Sequence, residues 1–197
     1  MRIVFIGPPG AGKGTQCRQL SSHYGIPHIS TGEMLRATSE HSPIGRMIAQ
    51  LIDGGNLAPD ELVMQYVVER LRKPDCQPGA LFDGFPRTVA QAGMLDEYLA
   101  KKDAPLDMVI HLAAESDPLV KRLLERAQKE SRADDTYETI QARLEIYDQR
   151  TKPVLDYYRD AGLVSSVDAM QTAEGVFQSI CGAIEQRIGS QLPTSLS

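Results

Sequence analysis

The chain has 197 residues, of which 42% are hydrophobic and 24% charged, a composition typical of one globular domain and unlike that of a disordered chain. The net charge of −5 gives no general attraction to nucleic acid or to an anionic membrane. The apolar run Ile3 to Ile6 is too short for a signal peptide, and no run approaches the roughly 20 residues that cross a bilayer. We expect a monomeric, cytoplasmic protein with neither nucleic acid nor membrane as a partner.

The three cysteines, Cys17, Cys76 and Cys181, are widely spaced and form no CxxC pair. An odd and sparse set of this kind argues against a disulfide framework and against a structural zinc site. We therefore expect three reduced thiols that pack in the interior.

Apolar strand patterns alternate with helical patterns along the first half of the chain. The strand patterns are Arg2–Ile6 and His28–Ile29, and the helical patterns are Thr15–Tyr24, a helix that ends at Ala37, Ile44–Asp53 and Asp60–Arg72. Ser30 stands three residues before Glu33, a capping-box pattern that predicts where the helix ending at Ala37 begins.

The same alternation continues to the end of the chain. Strands are predicted at Ala80–Phe82, Met108–Leu112 and Leu163–Val167, and helices at Val89–Lys101, Asp117–Arg126, Tyr137–Arg159 and Ala173–Arg187, before a tail at 189–197 that is predicted to fray. Alternating elements predict an α/β fold with a five-stranded parallel sheet covered on both faces. Residues 31–60 and 127–136 interrupt the alternation, and we expect them to project over the edge of the sheet where ligands bind.

A glycine-rich loop directly follows the first strand and opens the first helix. Its sequence, GPPGAGKGT from Gly7 to Thr15, fits the first seven positions of the phosphate loop G-x-x-x-x-G-K-[ST]. Backbone N–H groups of such a loop surround phosphate oxygens, and Lys13 reaches the β- and γ-phosphates. Gly14 stands where Ser or Thr would hold magnesium, and Thr15 follows one residue later. The loop predicts a nucleoside triphosphate site formed by Gly10, Ala11, Gly12, Lys13, Gly14 and Thr15.

A second motif follows the strand Ala80–Phe82. The strand ends on Asp83, at the position where phosphate-loop proteins hold Mg²⁺, usually through water. Arg87 lies just beyond and adds a side chain suited to phosphate. Together with the loop, these residues predict a site for a magnesium nucleotide.

Four separated motifs occur in the order and spacing of adenylate kinases: GPPGAGKGT, STGEMLR at 30–36, DGFPRT at 83–88 with Gln91, and RADD at 132–135. The chain resembles that family from Met1 to Ile188, and GKGT is usual in nucleoside monophosphate kinases. The resemblance implies the phosphate-loop fold and the reaction Mg·ATP + AMP ⇌ 2 ADP, with Mg²⁺ as the cofactor and ATP, AMP and ADP as the substrates.

The resemblance also implies roles for individual segments. Residues 30–60 would be the monophosphate-binding segment and 127–136 a short lid, inserted in a core of 1–29, 61–126 and 137–188. Thr31 would contact the adenine region and Gln91 would hydrogen-bond adenine. The implied AMP site comprises Thr31, Gly32, Arg36, Leu57, Pro59, Gly84, Arg87, Gln91, Arg132 and Arg143; Arg122 and Arg126 would lie beside ATP; and the implied catalytic set is Lys13, Arg87, Arg126, Arg132 and Arg143.

The same motifs bear on the alternatives. Pyrimidine monophosphate kinases typically carry Ala in place of the Thr31 hydroxyl and Asn after the GFPR arginine, whereas this chain has Thr31, Thr88 and Gln91. A GTPase needs an NKxD-type motif, and the single asparagine, Asn56, lies in GGNL. A kinase for another monophosphate and a nucleotide-binding module without turnover remain open.

The reaction implied by the resemblance needs no general base, because the acceptor phosphate has a second pKa of about 6 and is largely ionised near pH 7. The four histidines at 23, 28, 41 and 111 lie in no recognised motif, and we expect them to pack or to face solvent. The lid sequence AQKES at 127–131 lacks the cysteine-bearing insertion of long, zinc-binding relatives, which agrees with the expected absence of a structural zinc. It also lacks the glycines that short-lid relatives often have, so AQKES could continue the preceding helix instead of forming a loose loop.

Overall fold

Five parallel strands form the centre of the computed structural model, which describes residues 1–38, 43–115, 119–125 and 136–189. The strands are β1 (Arg2–Ile6), β2 (His28–Ser30), β3 (Ala80–Asp83), β4 (Met108–Ala113) and β5 (Val164–Asp168), in the spatial order β2-β3-β1-β4-β5. Every neighbouring pair is parallel. The predicted α/β fold with a five-stranded parallel sheet is confirmed.

Helices connect the strands. They are α1 (Lys13–Tyr24), α2 (Thr31–Ala37), α3 (Pro43–Asp53), α4 (Asp60–Leu71), α5 (Val89–Ala100), α6 (119–125), α7 (Tyr137–Ile146), α8 (Lys152–Asp160) and α9 (Ala173–Gly189). A short 3₁₀ turn at Pro74–Cys76, which the sequence analysis missed, follows α4. Ser30 caps α2 as predicted, because its hydroxyl accepts a hydrogen bond from the Glu33 N–H at 3.4 Å.

Both faces of the sheet are covered, so the central strands are apolar throughout rather than alternating. Ile3 and Phe5 pack in one buried cluster with α1 and α9, while Val4 and Ile6 pack in another with α4, α5 and α8. Among the described residues, none of the helices has the length and apolar character that crossing a membrane requires.

One prediction was wrong. Tyr137–Arg159 is not a single α-helix, because a π turn at Tyr147–Thr151 separates α7 from α8. The Lys152 N–H donates to the Tyr147 carbonyl five residues back. Pro153 follows immediately, and proline lacks an N–H and presses its ring on the preceding turn, which accounts for a wider turn at this point.

Three predicted features fall partly or wholly outside the described residues. These are the start and the end of the predicted helix Asp117–Arg126, the lid up to residue 135 with the RADD motif, and the tail from residue 190.

Gly79 leads into β3 at a point where the first residue of the chain passes very close. A Cβ on Gly79 would lie 1.8 Å from the Met1 carbonyl oxygen, and the φ of +151° is one that L-residues rarely adopt. That carbonyl is also the acceptor for the Ala80 N–H at 2.9 Å, so it cannot move without loss of a sheet hydrogen bond. The contact therefore requires glycine.

We expect Gly79→Ala to lower the free energy of unfolding by at least about 2 kcal/mol, measured by urea denaturation. The matched control is Gly162→Ala. Gly162 also has a positive φ, +68°, but no atom lies within 4 Å of its added Cβ, so we expect a loss of roughly 1 kcal/mol from the backbone conformation alone. Equal losses in the two variants would contradict the close approach of Met1.

Candidate active site

A cleft of about 480 Å³ opens at the carboxyl ends of β1 and β3, where the strand order reverses around β1. Open α/β sheets bind their ligands at such a position. The glycine-rich loop between β1 and α1 forms one wall, α2 with residues 55–58 forms another, and Arg122 and Arg143 reach the cleft from α6 and α7. The fold thus brings together segments that are far apart in the sequence.

The ammonium group of Lys13 lies inside the glycine-rich loop. Its Nζ donates to the carbonyl oxygens of Gly7 at 2.7 Å and Pro8 at 3.0 Å. Lys13 begins α1, so the loop and the helix N-terminus present their N–H groups and the ammonium to the same space. This is the arrangement that a phosphate-binding loop requires.

Gly14 brings the loop against the Asp83 carboxylate at the end of β3. A Cβ at Gly14 would lie 3.3 Å from Asp83 Oδ2, so a larger residue would crowd the carboxylate. His28 Nε2 lies 3.2 Å from the same oxygen. The expectation that His28 only packs or faces solvent was therefore incomplete.

Asp83 remains ionised although it is largely buried. Burial acts to raise its pKa, but the hydrogen bond with His28 and the positive charge of Lys13 outweigh burial, so that the pKa lies below its ordinary value. An ionised carboxylate beside a phosphate loop is the hard oxygen ligand that Mg²⁺ prefers. The residues present therefore fit a magnesium nucleotide.

The carbonyl of Gly84 ties two predicted site residues together. It accepts hydrogen bonds from Thr31 Oγ1 at 2.8 Å and from Arg87 Nε at 2.9 Å. Gly84 has a φ of +75°, and an added Cβ would approach both Thr31 Oγ1 and Arg87 Nη2 to 3.1 Å. Glycine at this position lets α2 and the residues after β3 meet at one point.

Three arginines converge on the cleft. Arg36 lies against Gly32, whose added Cβ would be 3.4 Å from Arg36 Nη1, and Arg143 Nη2 donates to the Ile52 carbonyl at 3.3 Å. Burial together with the charges of Arg143 and Arg36 lowers the pKa of Arg87, while Asp83 raises it. Three guanidinium groups that line one cleft, two of which lower the pKa of the third, indicate a site for a polyanion such as phosphate.

The side-chain amide of Gln91 is held in one orientation. Its Oε1 accepts from the Arg87 N–H at 2.7 Å, and its Nε2 donates to Asp60 Oδ1 at 2.7 Å. The other Asp60 oxygen accepts from Thr88 Oγ1 at 3.0 Å. Gln91 is buried and lines the cleft. After these two hydrogen bonds, one hydrogen of Nε2 and one lone pair of Oε1 are left for a ligand, and the positions of donor and acceptor cannot be exchanged.

Thr151 supports Arg87 from the π turn, because its hydroxyl donates to the Arg87 carbonyl at 3.1 Å. Asp60 thus holds the amide of Gln91, and Thr151 holds the backbone of Arg87. The sequence analysis missed both roles. No motif marks them, since an aspartate at a helix start and a threonine two residues before a proline have ordinary structural explanations.

Most of the predicted site residues line the cleft: Gly10, Gly12, Lys13, Gly14, Thr15, Thr31, Gly32, Arg36, Leu57, Asp83, Gly84, Arg87, Gln91, Arg122 and Arg143. Ala11 and Pro59 do not. Ala11 is buried within the loop with its N–H on the Pro8 carbonyl, and Pro59 precedes α4 while its neighbour Ala58 forms the wall. Arg126 and Arg132 lie outside the described residues.

Known proteins resemble the chain over almost its full length. The family model described as adenylate kinase matches residues 5–163. An adenylate kinase of Rhodopirellula baltica is 50% identical, over 96% of this chain and 98% of the relative, and one of Kocuria rhizophila is 44% identical, over 94% and 99%.

A less similar relative is longer than this chain. An adenylate kinase of Archaeoglobus fulgidus is 39% identical over 94% of this chain and 99% of its own length. That alignment spans 214 positions, more than this chain has residues, so the relative carries segments without a counterpart here.

The matched family model, these relatives and the cleft described above agree. The chain belongs to the adenylate kinase family, whose members transfer a phosphoryl group reversibly between ATP and AMP.

Proposed function

We propose that the cleft holds ATP on the glycine-rich loop and AMP on the arginine cluster, and that the γ-phosphoryl group passes between them to give two ADP. The observation that carries this assignment is the convergence of Arg36, Arg87 and Arg143 beside a phosphate loop. Transfer of a phosphoryl group between two nucleotides requires two neighbouring anion sites.

Catalysis at this site rests on positioning and on neutralisation of charge. The acceptor phosphate is largely ionised near pH 7 because its second pKa is about 6, so the chain need not supply a base. Lys13 exchanges its bonds to the carbonyls of Gly7 and Pro8 for bonds to phosphate oxygens. Arg87 and Arg143 bind the charge that develops on the transferred group.

The divalent ion that we propose is Mg²⁺, bound together with ATP. When bound, it supplies neutralisation of the β- and γ-phosphate charge, and Asp83 is the residue that would hold it through water. The low pKa of Asp83 keeps this carboxylate ionised throughout the neutral range.

The segment assignments also belong to the proposal. Thr31, Arg36 and Leu57 reach the cleft from residues 30–60, which supports a role for that segment in binding the monophosphate. The Thr139 hydroxyl of α7 donates to the Asp53 carbonyl at 3.2 Å and so joins this segment to the helix that carries Arg143. Five further statements stay predictions from the sequence: the short lid, the roles of Arg126 and Arg132, the monomeric state, the cytoplasmic location and the absence of a structural zinc.

Gln91 supports the choice of adenine. Adenine presents an amino donor beside a ring-nitrogen acceptor, and the free amide hydrogen and lone pair of Gln91 complement that pair. A 6-oxopurine presents the reverse pattern. Rotation of the amide to suit it would place Gln91 Oε1 against the Asp60 carboxylate, where two acceptors would meet.

The acceptor panel tests the proposed function. In a coupled assay with ATP and AMP, GMP, CMP or UMP, we expect kcat/KM for AMP to exceed that for CMP and UMP at least about tenfold, or roughly 1.4 kcal/mol in the transition state. Comparable use of UMP would identify a kinase for another monophosphate. Absence of ADP formation with every acceptor would identify a binding module without turnover.

Removal of the central arginine tests the anion site. We expect Arg87→Ala to lower kcat/KM for AMP at least about 100-fold, because it deletes a charge-assisted contact to phosphate. The matched control is Arg70→Ala, since Arg70 is also largely buried but pairs with Asp75 at 2.6 Å outside the cleft. Circular dichroism should show both variants folded. Near-normal activity of Arg87→Ala would show that the phosphate binds elsewhere.

Asp60 provides a test of base selection. We expect Asp60→Asn to lower the ratio of kcat/KM for AMP to that for IMP by about tenfold, because the Gln91 amide is then free to rotate at the cost of one hydrogen bond. Glu61→Gln in the same helical turn is the control for lost charge at the start of α4. An unchanged AMP to IMP ratio, with only the melting temperature lowered, would limit Asp60 to a structural role.

A further inference from the structure

Three potential metal ligands of different chemistry meet below the floor of the cleft. One ligand atom each from Cys17, His28 and Asp83 lies within 4.8 Å of the other two. Cys17 is on α1, His28 begins β2 and Asp83 ends β3, so three separate elements supply the group. Neither the phosphate loop nor the arginine cluster accounts for the thiol.

The distances fit a small tetrahedral ion. Zinc bonds of about 2.0–2.3 Å place neighbouring ligand atoms about 3.3–3.8 Å apart in a tetrahedron. His28 Nε2 and Asp83 Oδ2 are already 3.2 Å apart. Closing the largest separation in the group to a tetrahedral edge takes a shift of about 1 Å, which a side-chain adjustment supplies.

The cleft gives access to the group. Asp83 and Gly14 line the cleft, and Gly14 leaves free the position at which a Cβ would lie 3.3 Å from Asp83 Oδ2. Cys17 is fully buried behind them, and the His28 side chain is 11% exposed. An ion held there would have three protein ligands and a fourth position directed at the cleft, open to water or phosphate.

The donor set distinguishes this group from the magnesium position. Mg²⁺ prefers oxygen ligands in octahedral geometry, whereas thiolate and imidazole favour Zn²⁺ and related ions. We propose that Cys17, His28 and Asp83 form a binding site for Zn²⁺ or a similar thiophilic divalent ion, and that its occupation inhibits phosphoryl transfer. The inhibitory part rests on the proposed function, because it requires Asp83 to serve the magnesium nucleotide.

Binding is a ligand exchange without redox chemistry. Bonds form from the ion to the Cys17 sulfur, to an imidazole nitrogen of His28 and to one Asp83 oxygen, while the ion loses all but one of its waters and becomes tetrahedral. The thiol proton passes to solvent. Without the ion, His28 and Asp83 satisfy each other by their hydrogen bond, so the chain folds without it. The site is thus exchangeable and differs from a structural zinc.

Cobalt serves as the spectroscopic probe for the nucleotide-free full chain. We expect Co²⁺ to bind at one equivalent and to give a sulfur-to-cobalt charge-transfer absorption with the strong visible bands of a tetrahedral ion. Cys17→Ala should abolish the charge-transfer absorption. The matched control is Cys181→Ala, because both cysteines are buried in the same hydrophobic cluster, and this variant should keep the absorption.

His28→Gln provides a second test that leaves all cysteines in place, and we expect it to weaken cobalt binding at least about tenfold. No charge-transfer absorption in the unmodified chain, or its loss in Cys181→Ala, would overturn the site. If Cys17 only packs in the core and His28 only holds Asp83, the unmodified chain gives no charge-transfer absorption.

Inhibition is measured in the coupled assay with saturating Mg·ATP and AMP and added Zn²⁺. Without zinc, we expect Cys17→Ala to form ADP at the same rate as the unmodified chain. With zinc, we expect the variant to need at least about tenfold more Zn²⁺ for half-inhibition. Equal inhibition of the two would overturn the inhibitory role. Absence of ADP formation in every variant without zinc would instead contradict the proposed function, while the cobalt result would stand by itself.

Discussion

Mutual repulsion among arginines is the constraint on which the rest of the site depends. Arg36 comes from α2, Arg143 from α7 and Arg87 from the loop between β3 and α5, and the fold must hold them together before any anion arrives. Arg87 is held through neutral groups: its Nε donates to the Gly84 carbonyl, and its own backbone contacts Gln91 and Thr151. The Gly84 carbonyl fixes the guanidinium in position without neutralising it, while the nearby negative charge of Asp83 offsets part of the repulsion from Arg143 and Arg36.

Charges of both signs lie beside the glycine-rich loop. Asp83 keeps its negative charge because His28 and Lys13 lie beside it, and Lys13 is in turn held by loop carbonyls. The ammonium and the carboxylate are therefore both held in place before any nucleotide binds. A preorganised field of this kind lowers the cost of reorganisation during the reaction.

The sequence predicted the fold because its signals are local. Strand and helix patterns, glycine and proline positions and the phosphate loop all lie within a few residues, and the predicted ends of the strands agree with the structure within one residue or so. The contacts that the analysis missed join residues far apart: Gln91 to Asp60 across 31 positions, His28 to Asp83 across 55 and Thr151 to Arg87 across 64. The first and third of these contacts depend on how α4 and the π turn pack against the residues that follow β3, and the second depends on the pairing of β2 with β3; no pattern in a single sequence reveals either.

The π turn accommodates one extra residue between α7 and α8. A π turn closes its hydrogen bond over five residues where an α turn closes over four, so Tyr147–Thr151 takes up one residue more than a regular α-helix would. Loss of one residue from the turn would therefore give a continuous α-helix that leaves Val154 and Tyr158 in the core, with the hydrogen bond of Tyr158 to Asp96 on α5 intact. What the loss would disturb is the hydrogen bond from Thr151 to the Arg87 carbonyl, at the edge of the cleft.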